Sequence, residues 1–239
     1  MLPKRQEFCP GVERFLLGAR NHQPFHSEVC SANSARITNQ VKSMRICRHM
    51  TSFPKIWFLR HGQTEWNAEK RIQGQLESRL SPLGQSHAHQ QAKLMRPILA
   101  EAPACFVSPL GRAQETANIA LQGVSFTTDQ RLAEAHAGDL QGMTLPEVEA
   151  KYPKIWSANP SHLDLFCAAP NGEGYDSFHA RILAFMQALT EPSVVVAHGL
   201  LGQVMRGIAL GLTRQEMAKL SNRQGCVYVL EGQREQLLK

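Results

Sequence analysis

The stretch IWFLRHG at residues 56–62 places an apolar run of strand length directly before an arginine, a histidine and a glycine. Two similar runs, Cys105 to Val107 and Val194 to Ala197, are each followed by a turn and a helix-like segment. Short apolar runs of this length are typical of buried strands, and strands that alternate with helices form parallel sheets. The sequence therefore predicts an α/β fold, a three-layer α/β/α sandwich around a mainly parallel sheet.

Two serine-proline pairs mark helix starts in this pattern. Ser81-Pro82 and Ser108-Pro109 each offer a capping hydroxyl followed by a proline at the first helical position, where its missing N–H costs nothing. Further helices are predicted over Pro146 to Lys151, Ser177 to Leu189, Leu200 to Leu210 and Arg214 to Leu220, and a last strand over Val227 to Leu230.

Polar residues follow the three strands. The first strand ends in Arg60-His61-Gly62, the second leads to Arg112, and the third runs into His198-Gly199. In open α/β sheets, ligands bind beyond the carboxyl ends of the strands. We therefore expect two imidazoles and two guanidiniums to meet in one crevice.

These groups suit phosphate chemistry. A guanidinium donates paired hydrogen bonds to a phosphate dianion and stays charged at any working pH. A neutral imidazole can attack phosphorus and carry the phosphoryl group. Gly199 also opens a predicted helix, whose first N–H groups favour an anion.

The motif LRHGQTEWN at residues 59–67 resembles the signature of the histidine phosphatase superfamily, the phosphoglycerate mutase-like enzymes. Further blocks of that family follow in order, and five ordered blocks are far more specific than an isolated R-H-G. The resemblance runs from about Lys55 to the C-terminus. The other blocks are Gln73-Gly74 with LSPLG at 80–84, SPLGRA at 108–113, LAE at 132–134 with Gly138 and Gly142, and VVAHG at 195–199.

The resemblance implies a role for each matching residue. His61 is the residue that becomes phosphorylated, and Glu134 is the acid that protonates the leaving oxygen and then activates water. No metal or other cofactor is implied. The implied phosphate and substrate contacts are Arg60, Asn67, Gln73, Gly74, Arg112, His198 and Gly199.

Other residues compete for these roles. Glu65, Glu115 and Asp139 lie near the motifs and are alternatives to Glu134 as the acid. His136 fits a substrate contact and a structural role equally. The nearby pair His87 and His89 is two residues apart on a predicted helix, which favours solvent exposure over metal binding.

The sequence favours a phosphomonoester hydrolase but leaves two alternatives. Mutases of the family carry Arg, Tyr and Lys where this chain has Ala135, Ala137 and Leu145, and residues 143–180 contain only two Lys or Arg. Little is then expected to neutralise a substrate carboxylate, as a phosphoglycerate mutase would need. A catalytically inactive binding module is disfavoured because every expected catalytic residue type is present.

A segment rich in proline, alanine and glycine precedes the fourth predicted helix. Residues 159–174, with Phe166 inside and Tyr175 just after, are expected to form a lid over the phosphate pocket. The apolar character of this segment indicates a small-molecule substrate range that is broad or weakly polar.

Residues 1–50 differ from the remainder in charge. They hold eight Lys and Arg against three Glu, so most of the net charge of +6 lies there. They lack a sustained apolar period and read as a disordered extension, either upstream sequence from an early start or a targeting segment, with the domain over residues 51–239. The near-neutral domain disfavours nucleic-acid binding.

The cysteines and apolar runs bear on the cellular setting. The six cysteines show no disulfide or zinc spacing, which indicates reduced thiols and a cytoplasmic protein, organellar only if the extension targets it. No apolar run approaches the length of a membrane helix. The sequence leaves open whether the protein forms a homodimer.

Overall fold

A computed structural model describes residues 52–239. The predicted extension at residues 1–50 lies outside the described residues. Within them, helices cover both faces of one sheet, which confirms the predicted α/β sandwich.

The sheet contains six strands in the order β3-β2-β4-β1-β5-β6. The first four in this order are parallel, and β5 and β6 are antiparallel at one edge. The three predicted inner strands and the predicted last strand are confirmed, while the short β3 and the edge strand β6 were not predicted. The strands are β1 Ile56–Arg60, β2 Ala104–Val107, β3 Thr127–Thr128, β4 Ser193–Ala197, β5 Val227–Glu231 and β6 Arg234–Leu238.

The helices follow the predicted order with three additions. The predicted helix from Arg214 ends at Met217, and α1, α5 and α6 were not predicted. The helices are α1 Glu65–Ala68, α2 Pro82–Leu99, α3 Gly111–Ala120, α4 Leu145–Lys151, α5 Pro153–Ala158, α6 His162–Cys167, α7 Tyr175–Gln187, α8 Gly199–Leu210 and α9 Arg214–Met217.

The two serine-proline pairs behave differently. Ser81 caps α2 as predicted, because its Oγ accepts the Gly84 N–H at 3.1 Å. The cap predicted at Ser108 is wrong: α3 starts at Gly111 with Leu110 at its N-cap. The Ser108 hydroxyl instead lies 2.6 Å from the His198 imidazole, so a tertiary contact overrides the local helix signal.

Apolar side chains pack on each face of the sheet. On one face, Phe58 and Val195 contact buried residues of α7 and α8, and on the other, Leu59 and Val196 contact α2 and α3. Alternate residues of β1 and β4 thus serve opposite layers, as expected for a sheet covered on both sides.

A third apolar cluster joins the short helices α4, α5 and α6. Val148 and Leu165 are its fully buried helical members, packed with Ile72 and Leu140 from the preceding loops. This cluster holds residues 137–169 against the loop that follows β1.

Close backbone contact between α2 and the loop after β1 gives a stability prediction. A Cβ added at Gly84 would overlap the carbonyl oxygen of Gln63. Because backbone cannot yield as a flexible side chain does, we expect Gly84→Ala to lower the free energy of unfolding by about 3 kcal/mol. Urea denaturation checks this against Ser86→Ala, an exposed change on the same helix, and equal stability of the two variants would contradict it.

No helix within residues 52–239 combines the length and the apolar character that crossing a bilayer requires.

Candidate active site

The register of the central strands places the two histidines side by side. Arg60 of β1 pairs with Ala197 of β4, so His61 and His198 directly follow neighbouring strand ends. Their ring centroids are 5.2 Å apart, and the His61 N–H donates to the Ala197 carbonyl at 2.9 Å. The predicted convergence of the two imidazoles is therefore present.

The His61 imidazole is held in one tautomer. Its Nδ1 lies 2.7 Å from the Gly62 carbonyl oxygen, which can only accept, so Nδ1 carries the proton and Nε2 keeps its lone pair. Burial, together with the charges of Arg112 and Arg60, holds the pKa of His61 well below its ordinary value of 6.5. The ring is therefore a neutral nucleophile at neutral pH.

Arg112 brings one buried cation to this site. It is the second residue of α3, is only 2% exposed, and donates from Nη1 and Nη2 to the carbonyls of Leu76 and Gly74 at 2.9 and 2.7 Å. Its Nε has no acceptor within residues 52–239. Burial lowers the pKa of Arg112 to about 10, which leaves it a cation at neutral pH. A buried cation at a helix start opposes the helix dipole, so the site favours an anion.

Arg60 supplies the second cation. Its Nη1 donates to the Asn222 carbonyl at 2.5 Å, and its buried Nε has no acceptor in the described part of the chain. The side chain lies against the start of α8, where a Cβ at Gly199 would sit 3.2 Å from the Arg60 Nε. Glycine therefore gives the guanidinium its space.

Glu134 occupies the start of α8. Its Oε2 accepts the Leu200 N–H, and its Oε1 accepts the Leu201 and Ala135 N–H groups, each at 3.0 Å. The sequence predicted that the first N–H groups of this helix would serve a bound anion, but two of them serve this carboxylate. The arrangement anchors Glu134 beside the two arginines.

Asn67 and Gln73 lie around α1. The Asn67 Oδ1 accepts the Thr64 N–H at 3.2 Å in a capping box, while its Nδ2 has no acceptor within residues 52–239. The Gln73 Nε2 donates to the Thr64 hydroxyl. Gly74 has a φ of +55°, which favours glycine, and its carbonyl accepts from Arg112.

His198 lies behind His61. It is fully buried, and its Nε2 contacts Ser108, while its Nδ1 has no acceptor in the described residues. Burial and the charge of Arg112 hold the pKa of His198 well below 6.5. The predicted residue is therefore beside the nucleophile but does not line the open cavity.

These side chains surround a cavity of about 310 Å³. Among the described residues that line it, Glu134 is the only carboxylate. The predicted site residues that line the cavity are Arg60, His61, Asn67, Gln73, Gly74, Arg112, Glu134 and Gly199.

Sequence reasoning missed several lining residues. Lys70 and Arg71 bring basic groups from the segment between Asn67 and Gln73, outside the residues 143–180 on which the expectation of little basic charge rested. Arg71 is paired with Glu69 and Glu147, and Lys70 is exposed at the mouth. The one sequence signal that they belong to the site was their position between two recognised blocks. Phe166, which the sequence placed over the pocket, also lines it, and the remaining lining residues are Ile72, Leu145, His162, Leu200 and Asn222.

The predicted lid reaches the cavity through one helix. His162 and Phe166 of α6 line it, whereas the Tyr175 hydroxyl donates to the Met217 sulfur and lies outside the lining. Leu163 and Leu165 on the same helix are buried, so α6 is packed in place.

The competing candidates lie elsewhere. The Glu115 Oε2 accepts the Leu80 N–H at 3.4 Å, and Asp139 accepts from Asn171. His136 accepts the Gly138 N–H at 3.2 Å and does not line the cavity. Its contacts therefore favour the structural role. Within residues 52–239 no three His, Cys, Asp or Glu side chains form a group that could hold a metal ion.

Comparison with known proteins gives a consistent set of matches. A family model described as the histidine phosphatase superfamily (branch 1) matches residues 56–238. A glucosyl-3-phosphoglycerate phosphatase of Mycolicibacterium vanbaalenii is 37% identical over 66% of this chain and 75% of its own length. A metal-independent phosphoserine phosphatase of Arabidopsis thaliana is 32% identical over 75% of this chain and 78% of its own.

Solved structures and other relatives extend this set. The structure of a mycobacterial glucosyl-3-phosphoglycerate phosphatase with VO3 superposes with a TM-score of 0.63 at 30% identity, covering 78% of this chain and 97% of that one. Phosphoglycerate mutases that depend on 2,3-bisphosphoglycerate also match, over 39 to 62% of this chain. Phosphatases and mutases are thus both similar to this chain.

Proposed function

The chain belongs to the histidine phosphatase superfamily (branch 1), and from that premise we propose that its cavity hydrolyses small-molecule phosphomonoesters through a phosphohistidine on His61. One observation carries the proposal. A neutral imidazole with its Nε2 lone pair free lies near the Arg60 and Arg112 guanidiniums, whose charges lower its pKa, and each guanidinium has a buried Nε that lacks an acceptor in the described residues. This arrangement pairs a nucleophile with charge that a phosphoryl group would neutralise.

The first step transfers the phosphoryl group to the enzyme. The His61 Nε2 attacks phosphorus, the N–P bond forms, and the bond from phosphorus to the ester oxygen breaks. Glu134, in its protonated form, gives its proton to the departing oxygen. Within residues 52–239 its Oε2 accepts a single hydrogen bond, so a lone pair remains there to carry that proton.

The second step releases phosphate. Glu134, now a carboxylate, takes a proton from a water molecule whose oxygen attacks phosphorus. The N–P bond breaks, and its electron pair returns to the His61 Nε2. Arg60 and Arg112 stabilise the charge on the phosphoryl oxygens in both steps, while the Asn67 Nδ2 supplies a further donor.

The cavity wall indicates which substrates fit. Ile72, Leu145 and Phe166 form an apolar part of the lining beside the polar floor. A volume of about 310 Å³ suits a small organic group on the phosphate, in keeping with a broad or weakly polar range. The relatives described as phosphatases act on small phosphorylated metabolites, which supports this size class.

Hydrolysis is favoured over mutase chemistry by one position of the lining. Leu145 lines the cavity where the family resemblance implies a lysine in mutases, and the other two compared positions, Ala135 and Ala137, are buried alanines. The cationic side chains that would hold a phosphoglycerate for return of the phosphoryl group are missing from these three positions. Lys70 and Arg71 are the features that keep the mutase alternative open to test.

The decisive experiment follows two products at once. The enzyme is incubated with p-nitrophenyl phosphate, glycerol 3-phosphate, phosphoserine and 3-phosphoglycerate, the last with and without 2,3-bisphosphoglycerate. We expect free phosphate from one or more of these esters and no isomerisation. Isomerisation that depends on the bisphosphate would reassign the site to a mutase, and neither activity would favour a binding module.

We also propose that the enzyme works in the mildly acidic range. Burial and the flanking arginines lower the pKa of His61, so the ring stays neutral as the pH falls through 6.5. A histidine with the ordinary pKa would lose about tenfold of its neutral form between pH 7.5 and 5.5. We expect His61 to stay neutral with Nδ1 protonated over that range, measured by nitrogen-15 NMR and assigned with His61→Gln. Protonation of His61 near pH 6.5 would contradict this.

The cellular setting and assembly stay predictions. We propose a reducing, cytoplasmic setting, supported by the free thiols of Cys105, Cys167 and Cys226. Light scattering on the purified protein tests whether it forms a homodimer, which the sequence leaves open.

A further inference from the structure

The loop before β5 contacts three residues of the active site. This loop, residues 220–226, is called the 220s loop here. The Asn222 carbonyl accepts from Arg60, and the Gln224 Nε2 donates to the His61 carbonyl at 3.0 Å and to the Asn67 Oδ1 at 3.3 Å. Gln224 therefore connects the nucleophile's backbone with the Asn67 amide.

The Asn67 amide is useful to a phosphoryl group in only one orientation. Phosphoryl oxygens accept hydrogen bonds, so the amide nitrogen must face them. The Asn67 Oδ1 accepts two N–H groups, from Thr64 and Gln224, and this leaves Nδ2 as the free end. A flipped amide would present its oxygen to the anion. Its nitrogen would then face the Thr64 N–H and the Gln224 Nε2, which are both donors.

We propose that Gln224 is a positioning residue that orients the Asn67 amide, so that Nδ2 donates to the phosphoryl group. The inference rests on the proposed function of the cavity. Gln224 acts through Asn67 and does not itself line the cavity.

Other contacts hold the 220s loop without Gln224. The Gln203 Nε2 donates to the Leu220 carbonyl at 2.6 Å, and the Arg206 Nη1 donates to the Ser221 carbonyl at 2.6 Å. Gly225, with a φ of +71°, turns the chain directly after Gln224. The loop is thus anchored from α8, and Gln203 provides a control that loosens the same loop without touching Asn67.

The test is a double-mutant cycle between Gln224 and Asn67. Gln224→Met keeps the length of the side chain and removes its donor, and we expect kcat/KM for p-nitrophenyl phosphate to fall about tenfold. In an Asn67→Ala background the same change should lower kcat/KM by less than about threefold, because the amide that Gln224 orients is absent. Gln203→Met should instead have the same effect with and without Asn67.

The outcomes separate the inference from the proposed function. The cycle is repeated with the Kd for orthovanadate, a phosphoryl mimic that needs no turnover. If the wild type hydrolyses nothing but the orthovanadate cycle shows coupling, the proposed function fails and the positioning role stands. Equal, multiplicative losses for Gln224→Met in both backgrounds would overturn the positioning role, as would failure of the wild type to bind orthovanadate.

Discussion

Replacement of His61 by alanine should abolish phosphate release, with a loss of about 10⁴-fold or more in kcat. The variant keeps Arg60 and Arg112, so it should still bind phosphate and orthovanadate. It lacks the imidazole that lies near both arginines, and the neighbouring His198 cannot replace it because that ring is buried and its Nε2 is engaged by Ser108. A dye assay for free phosphate measures the loss on the ester that the wild type hydrolyses best.

A trapping experiment identifies the reacting atom directly. Wild-type enzyme quenched in alkali during turnover should carry one phosphoryl group on His61, since phosphohistidine survives base and is lost in acid. The matched control is His89→Ala, an exposed histidine on α2. Activity of His61→Ala above about 1% of the wild type, or a phosphoryl group on another residue, would contradict the mechanism.

The convergence of the two histidines was predictable because sheet geometry forces it. Apolar runs of strand length, followed by His61 and His198, place both residues at the carboxyl edge of a parallel sheet. What the runs do not specify is strand order. Only the pairing of β1 with β4 makes these two rings neighbours at 5.2 Å.

Features that depend on long-range contacts escaped the sequence. Glu134 could be assigned only by resemblance, since its anchoring N–H groups lie 66 and 67 residues away along the chain. The Ser108 cap failed for a related reason, because a partner 90 residues away takes the hydroxyl. Local propensity is a weak guide where tertiary contacts compete for the same group.

The cavity wall shows the same limit. Leu145 and Phe166 come from separate helices that meet Ile72 only through the third apolar cluster. Gln224 carries no local signal beyond the glycine that follows it. The sequence placed Phe166 over the pocket, but the residues that meet it there become visible only once the fold is known.

Replacement of Glu134 by glutamine should have an effect that depends on the leaving group. An alkoxide leaves only with a proton, so the phosphorylation step with glycerol 3-phosphate should slow about 10³-fold. Nitrophenolate leaves without one, so the same step with p-nitrophenyl phosphate should slow by less than about tenfold. Rapid-quench kinetics on both esters measure the two values.

Because Glu134 also activates water, its second role predicts a burst of product in the first turnover of the Glu134→Gln variant. With p-nitrophenyl phosphate, Glu134→Gln should release one nitrophenol per site and then turn over slowly. Hydrolysis of the phosphohistidine becomes slow because no base activates the attacking water. With the alkyl ester no burst should appear. Glu115→Gln, which alters a carboxylate outside the cavity lining, is the control and should follow the wild type on both esters.

The carboxylate also supports the fold, so stability must be separated from chemistry. Glu134 accepts two N–H groups of α8, and loss of such a cap costs about 1 kcal/mol. A purely structural defect would lower the rate of the phosphorylation step equally for both esters, because displaced arginines would bind every phosphoryl group less well. Only a proton donor distinguishes the alkoxide from nitrophenolate, and equal losses on the two esters would therefore remove Glu134 from the proposed mechanism.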